Sequence, residues 1–159
     1  MQRVAIFGNS GSGKTTLALR MSSEGSLAHL DLDSLAWQPT HPPTRRALQD
    51  SAAEIRSFMS RNHSWVIEGC YSDLLELVLP SCTQVIFLNP GVEACIRNCR
   101  SRPWEPTKYA SPEEQDRNLE MLCEWVRAYE TRTDEFSLQS HRRLFDSYLG
   151  SKEERTSAL

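Results

Sequence analysis

The chain has 159 residues, 39% of them hydrophobic and 25% charged, a length that suits one domain around a single core. Lys and Arg number 18 against 21 Asp and Glu, a net charge of −3, whereas proteins that live on nucleic-acid phosphates carry a basic surplus; direct DNA or RNA binding is not expected. No apolar run approaches the roughly 18 residues needed to span a bilayer, and no leader pattern precedes RVAIF, so the expectation is a cytoplasmic protein without a membrane partner.

In chain order, Arg3–Phe7, Leu27–Leu32, Trp65–Glu68 and Gln84–Leu88 read as strands, brief and rich in Val and Ile. Their apolarity is continuous rather than alternating, which indicates burial on both faces of a parallel sheet. Helical patterns lie between them: Lys14–Ser22, Arg45–Arg61 with Leu48, Ala52, Ile55 and Phe58 on one stripe, Ser72–Val78, and a helix opened by Pro90 that runs to about Asn98. Strand and helix alternate, so the fold class is α/β with helices on both faces of the sheet. Glu113–Glu130 and Leu138–Leu149 are helical as well, and no strand-like run follows Leu88. The sequence therefore predicts one domain over residues 1–150 and a frayed polar tail over 151–159. Two proline-rich connections, Gln38–Thr44 and Arg102–Pro112, fall near the carboxyl edge of the sheet, and the segment near 100–112 reads as a lid.

Gly8-Asn9-Ser10-Gly11-Ser12-Gly13-Lys14-Thr15 is the GxxxxGK[ST] phosphate loop, placed where its mechanism requires, after a strand and opening a helix. Glycines let the backbone wrap a phosphate with its N–H groups, and the helix N-terminus adds partial positive charge. Lys14 would reach the β- and γ-phosphates of ATP, Thr15 would be a magnesium ligand, and Thr16 completes the binding segment. Asp31 and Asp33 close the second strand and Glu68 the third. Carboxylates at strand ends beside a phosphate loop can hold magnesium or take a proton from an acceptor hydroxyl, although the same acids could be turn or surface residues. Guanine-reading switches carry an [NT]KxD segment, and none occurs here.

GNSGSGKTTLA, HLDLDSLAW, WVIEGCYS and TQVIFLNP resemble, in that order, the small P-loop kinases related to adenylate and shikimate kinases, and most nearly their DNA topology modulation or adenylate-kinase-related branch. The resemblance covers roughly Gln2–Arg102. It implies a three-layer fold with a parallel sheet in order 2-3-1-4-5, ATP and magnesium as cofactors, Asp31 and Asp33 at the metal and acceptor, and Glu68-Gly69 at the end of the third strand. It also implies phosphate-clamping arginines at the lid entry, where Arg97, Arg100 and Arg102 stand; three arginines there equally suit a helix C-terminus. The family's fifth strand is expected to be missing, leaving 2-3-1-4. Gly69-Cys70-Tyr71 replaces the glycine triplet that holds shikimate, so shikimate is not the expected acceptor.

Other residues remain open between two roles. Trp104 and Tyr109 could stack on a base or pack the lid, and Arg45 and Arg46 could hold an anionic group of the acceptor. Arg132-x-Asp134-Glu135 with Arg143 resembles an adenylate-kinase pattern but also suits a solvated helix face. Cys95 and Cys99, at i, i+4 spacing, read as core thiols or half of a metal site; with Cys70, Cys82 and Cys123 they are expected to be reduced. His29, His41, His63 and His141 show no metal spacing and no nucleophile partner.

The resulting expectation is an ATP-dependent, magnesium-requiring phosphotransferase acting on a small-molecule acceptor. Lys14, Asp33, Arg97, Arg100 and Arg102 are its catalytic candidates, and Thr15, Asp31 and Glu68 its metal ligands. The alternative is an ATP-binding regulator with slow hydrolysis and no small-molecule acceptor. Oligomeric state is not encoded in any motif.

Overall fold

Val4, Ala5, Ile6 and Phe7 are all fully buried, because successive side chains of one strand enter two different cores. That strand, β1 (Arg3–Gly8), is the centre of the sheet in a computed structural model that describes residues 1–157. Val4 and Ile6 pack with Leu17 and Ala18 of α1 (Lys14–Gly25), while Ala5 and Phe7 join a larger cluster on the opposite face. That cluster draws on α3 (Leu48–Arg61), α4 (Ser72–Val78) and α7 (Leu138–Ser147) through Ile55, Leu74, Leu75 and Leu144. Each such side chain contributes about 1.5–3 kcal/mol by leaving water, and the two-sided demand for it explains the continuous apolar runs.

The sheet is completed by β2 (Ala28–Asp31), β3 (Trp65–Gly69), β4 (Gln84–Leu88) and β5 (Ser151–Arg155), all parallel, in the order β2-β3-β1-β4-β5. A short helix, α2 (Asp33–Ala36), follows β2. Beside the sheet, α5 (Val92–Arg100) and α6 (Pro112–Arg127) pack on one another through Cys95, Ile96, Cys99, Cys123 and Val126. Cys95 and Cys99 are thus part of an apolar seam, and burial pushes the Cys95 thiol up to about 11. Among the described residues no helix is long and apolar enough to cross a membrane.

Two sequence expectations require correction. The fifth strand is present, and it lies in the segment expected to be a frayed tail. β5 pairs with β4 from Gln84↔Ser151 to Leu88↔Arg155, so backbone hydrogen bonds hold it rather than apolar side chains. As an edge strand it tolerates charge: Glu154 forms a forked pair with Arg142 of α7 at 2.7 and 2.8 Å, and Lys152 lies 4.8 Å over the Phe145 ring. The helix expected from Arg45 starts instead at Leu48. Residues 37–46 fold back as an antiparallel excursion, with Trp37 bridged to Arg45 and the Arg46 amide donating to the Ala36 carbonyl at 2.9 Å.

Candidate active site

β1, β2 and β3 end on the same edge of the sheet, and the ends of β2 and β3 with the loop after β1 line one cleft of about 840 Å³, within the size range of small-molecule sites. The phosphate loop forms one end. Gly11 has φ 80° and Gly13 φ 97°, and a Cβ on Gly11 would come within 2.4 Å of the Cys95 carbonyl oxygen, so glycine is dictated there twice over. Gly13 precedes α1 without any side-chain cap, which leaves the first N–H groups of the helix free for an anion. The Ser12 hydroxyl is buried within the loop and has no hydrogen-bond partner. Lys14 Nζ folds back onto the Asn9 carbonyl at 2.7 Å. Two residues from outside the loop pin it: Asn98 donates to the Gly11 carbonyl at 2.8 Å, and Asn9 reaches the Val126 carbonyl at 3.2 Å.

Next along the cleft lie the acids. Thr15 Oγ1 donates to Glu68 Oε1 at 2.8 Å, and His29 Nε2 lies 3.3 Å from the same oxygen; Glu68 itself is only 1% exposed. Asp31 is pushed up to about 6, chiefly by burial and then by the charges of Glu68 and Asp33. Burial would raise the Asp33 carboxyl too, but Lys108, the Tyr71 hydroxyl and Lys14 together outweigh it and hold the group below the ordinary carboxylate range. Tyr71 donates its hydroxyl to Asp33 and accepts from Trp37 Nε1 at 2.8 Å. Burial, with Cys70 and Asp33 nearby, raises the phenol well above its usual value, so it stays a donor.

The segment 102–112 closes over these acids. Lys108 Nζ lies 2.9 Å from Asp33 and 3.9 Å from Asp31, and these carboxylates raise its own affinity for a proton despite partial burial. Gln115 of α6 ties the segment down at the Glu105 amide and the Pro103 carbonyl, and Asn118 does so at the Tyr109 hydroxyl. Trp104 spends its indole N–H on the Tyr109 carbonyl and stays outside the cleft, whereas Tyr109 lines it.

The candidate residues from the sequence divide accordingly. Ser10, Gly11, Gly13, Lys14, Thr15, Thr16, Asp31, Asp33, Glu68 and Arg102 meet in the cleft. Gly8, Asn9 and Ser12 shape the loop from behind; Gly8 abuts the Leu88 carbonyl and leaves no room for a Cβ. Arg97 and Arg100 are not brought to it: Arg97 lines a separate depression with Gly91 and Arg127, and Arg100 pairs with Glu120 of α6 at 2.7 Å on the surface. Arg45 is engaged by Asp73 at 3.1 Å and Glu135 at 3.4 Å, and Arg46 by Glu54 at 2.5 Å. His141 is buried between the Tyr129 hydroxyl and the Cys70 carbonyl, at 2.7 and 2.8 Å, as a structural residue. Lys108, Tyr71 and Asn98 were not singled out from the sequence, since nothing in their spacing marks which residues a loop or helix face brings to the acids.

The donor set suits the groups the loop implies. The uncapped amides at the start of α1 and Lys14 converge where a polyphosphate would lie. Thr15, Asp31 and Glu68 offer hard oxygens appropriate to magnesium. Among the described residues no three His, Cys, Asp or Glu side chains converge to hold a metal by themselves.

No family model and no curated protein matches the sequence. Among solved structures, shikimate kinase from Bacteroides thetaiotaomicron aligns with a TM-score of 0.51 and 16% identity, over 91% of this chain and 97% of that one. A sugar kinase from a Janibacter species aligns with a TM-score of 0.50 and 17% identity, over 94% of each chain. At such identities the likeness shows the fold alone, the five-stranded parallel sheet covered by helices that this chain shares with those two kinases. It does not reach the topology-modulation branch.

Proposed function

We propose that the protein is an ATP-dependent, magnesium-requiring phosphotransferase acting on a hydroxyl of a small molecule. The observation that carries this reading is the shared cleft: a phosphate cradle ending in Lys14 and an ionised Asp33 line the same cavity, with Asp31 and Glu68 between them. A regulator that hydrolyses ATP slowly needs no room for an acceptor, whereas this cleft continues past Asp33.

Lys14 would exchange the Asn9 carbonyl for β- and γ-phosphate oxygens, and the loop amides with the N-terminus of α1 would hold the rest of the chain of phosphates. Thr15, Asp31 and Glu68 are the residues that would hold magnesium, which when bound neutralises charge on the phosphates. Asp33 orients the acceptor hydroxyl and takes its proton as the new oxygen–phosphorus bond forms and the bond to the ADP oxygen breaks. Arg102 and Lys108 supply positive charge from the overlying segment, which also excludes water.

Lys14→Ala tests the reading. It should weaken ATP binding and abolish turnover while circular dichroism stays unchanged, because the side chain bonds only a loop carbonyl in the protein itself. Unchanged ATP affinity in titration calorimetry would overturn the assignment. Turnover that no acceptor ever accelerates would favour the regulatory ATPase.

A further inference from the structure

Beyond Asp33 the cleft wall changes from charged to aromatic. Trp37, Tyr71, Trp125 and Phe136 line it, delivered by four separate segments of the chain. Trp37 and Phe136 are nearly parallel, 5° apart with centroids at 6.5 Å, and Tyr71 and Trp125 meet Phe136 edge-on at 5.3 Å each. Tyr71 and Phe136 belong to the core, at 2% and 8% exposure, but Trp37 remains 39% exposed, so the wall presents a ring to the cleft's solvent.

The polar tips on this wall are already spent. Trp37 Nε1 goes to the Tyr71 hydroxyl and that hydroxyl to Asp33, so the wall offers ring faces and edges rather than free donors. The nearby cations are paired with carboxylates, although the Nε atoms of Arg45 and Arg132 are buried without a hydrogen-bond partner. Arg45, 4.8 Å over the Tyr71 ring, belongs to Asp73 and Glu135, and Arg132, 4.3 Å over Trp125, to Asp134 at 3.1 Å. An acceptor bearing a carboxylate or its own phosphate would find no free cation on this wall; the cleft's other cations, Lys14, Arg102 and Lys108, stand in the phosphate loop and the overlying segment. A neutral flat ring brings no charge to desolvate and gains stacking.

We infer that the phosphoryl acceptor is a neutral compound carrying a flat aromatic ring, laid against Trp37, Phe136 and Trp125 with its hydroxyl at Asp33. Nucleosides and heteroaromatic alcohols share this chemistry. The inference rests on the phosphotransfer reading of the same cleft and narrows its acceptor.

The test uses radiolabelled ATP with separate pools of nucleosides, heteroaromatic alcohols, nucleoside monophosphates, sugars with polyols, and hydroxy-carboxylates. Binding of each pool is followed in parallel by tryptophan fluorescence. One of the first two pools should accelerate transfer at least about tenfold, and which one does so identifies the source. For that acceptor, Trp37→Leu should raise KM at least about fivefold, in keeping with the loss of one stacking partner, with ATP affinity unchanged. Trp37→Phe, which restores a ring, should recover most of the loss. Acceleration confined to sugars, polyols, hydroxy-carboxylates or nucleoside monophosphates would overturn the inference and leave phosphotransfer standing. Binding of ring compounds without transfer to any pool would overturn the acceptor inference together with phosphotransfer, and would leave the wall only a ring-binding surface. Neither binding nor transfer would overturn both.

Discussion

Asp33→Asn separates chemistry from nucleotide binding because the substitution changes charge while preserving shape. The Asn carbonyl still accepts the Tyr71 hydroxyl, so the Trp37–Tyr71 arrangement survives. What disappears is the ion pair with Lys108, whose partners are 35% and 38% exposed. At that exposure such a pair contributes only about 0–1 kcal/mol, or a fall in Tm of roughly 2–4 °C at most for a chain of this size. Loss of a positioned general base costs about 10²–10⁴ in rate, equivalent to roughly 3–5 kcal/mol of barrier. The two magnitudes do not overlap, so lost stability cannot mimic lost catalysis. Thermal melting, calorimetry with ATP and magnesium, and radiolabel transfer to the accelerating acceptor should give a small shift, an affinity within a few-fold of the parent, and a transfer rate reduced at least about a hundredfold. A folded Asp33→Asn variant that transfers at the parental rate would refute the reasoning. ATP affinity falling in step with transfer would refute it too, by assigning Asp33 to the nucleotide.

Among the lid-entry arginines, Arg97→Ala and Arg100→Ala should leave transfer within about twofold, as exposed residues away from the cleft do. Arg102→Ala should slow transfer clearly, and equal effects at the three positions in a rate comparison would contradict this division. His141 gives a pH signature in stability: burial pushes it down to about 4, against about 6.5 in the unfolded chain, so the native state binds fewer protons between these values. Its contribution is fully present above pH 6.5 and declines as pH falls toward 4, by about 3 kcal/mol in all. The difference in urea unfolding free energy between the parent and His141→Asn should shrink by about that amount over the same interval.

What the sequence made legible follows the physical origin of each feature. The phosphate loop, Asp31, Asp33 and Glu68 were readable because a short segment or a strand end fixes where they stand, and the four apolar strands because burial on two faces demands their composition. β5 left no such trace: Ser151–Arg155 is an edge strand held by main-chain bonds, and Arg142 and Phe145 satisfy its charges from a neighbouring helix. Lys108 was hidden for a related reason. Its partners are 75 and 77 positions away, at Asp33 and Asp31, and only the path of a proline-rich loop unites them. The aromatic wall is the extreme case, four rings from four segments with no spacing in common. Arg97 and Arg102 show the opposite limit, since one helical register and its C-terminal turn send neighbouring arginines to different cavities.

The two asparagine bonds to the phosphate loop bear on how the cleft can open. Asn98 belongs to α5, and the Val126 carbonyl that Asn9 contacts belongs to α6, so both supports from which residues 101–111 are slung are fastened to the same few loop residues. Swinging either helix outward would break its bond to the nucleotide cradle. Opening on the side of the strip therefore means movement of the strip itself, pivoting near Ser101 and Ser111, which cap the two helices. Such a movement peels Lys108 from Asp33 and turns Tyr109 aside while the supports stay still. Because the Gln115 and Asn118 bonds and the Lys108–Asp33 pair must break, its tempo is that of a lid, microseconds or slower. Opening on that scale leaves the triphosphate seat undisturbed while the acceptor comes and goes.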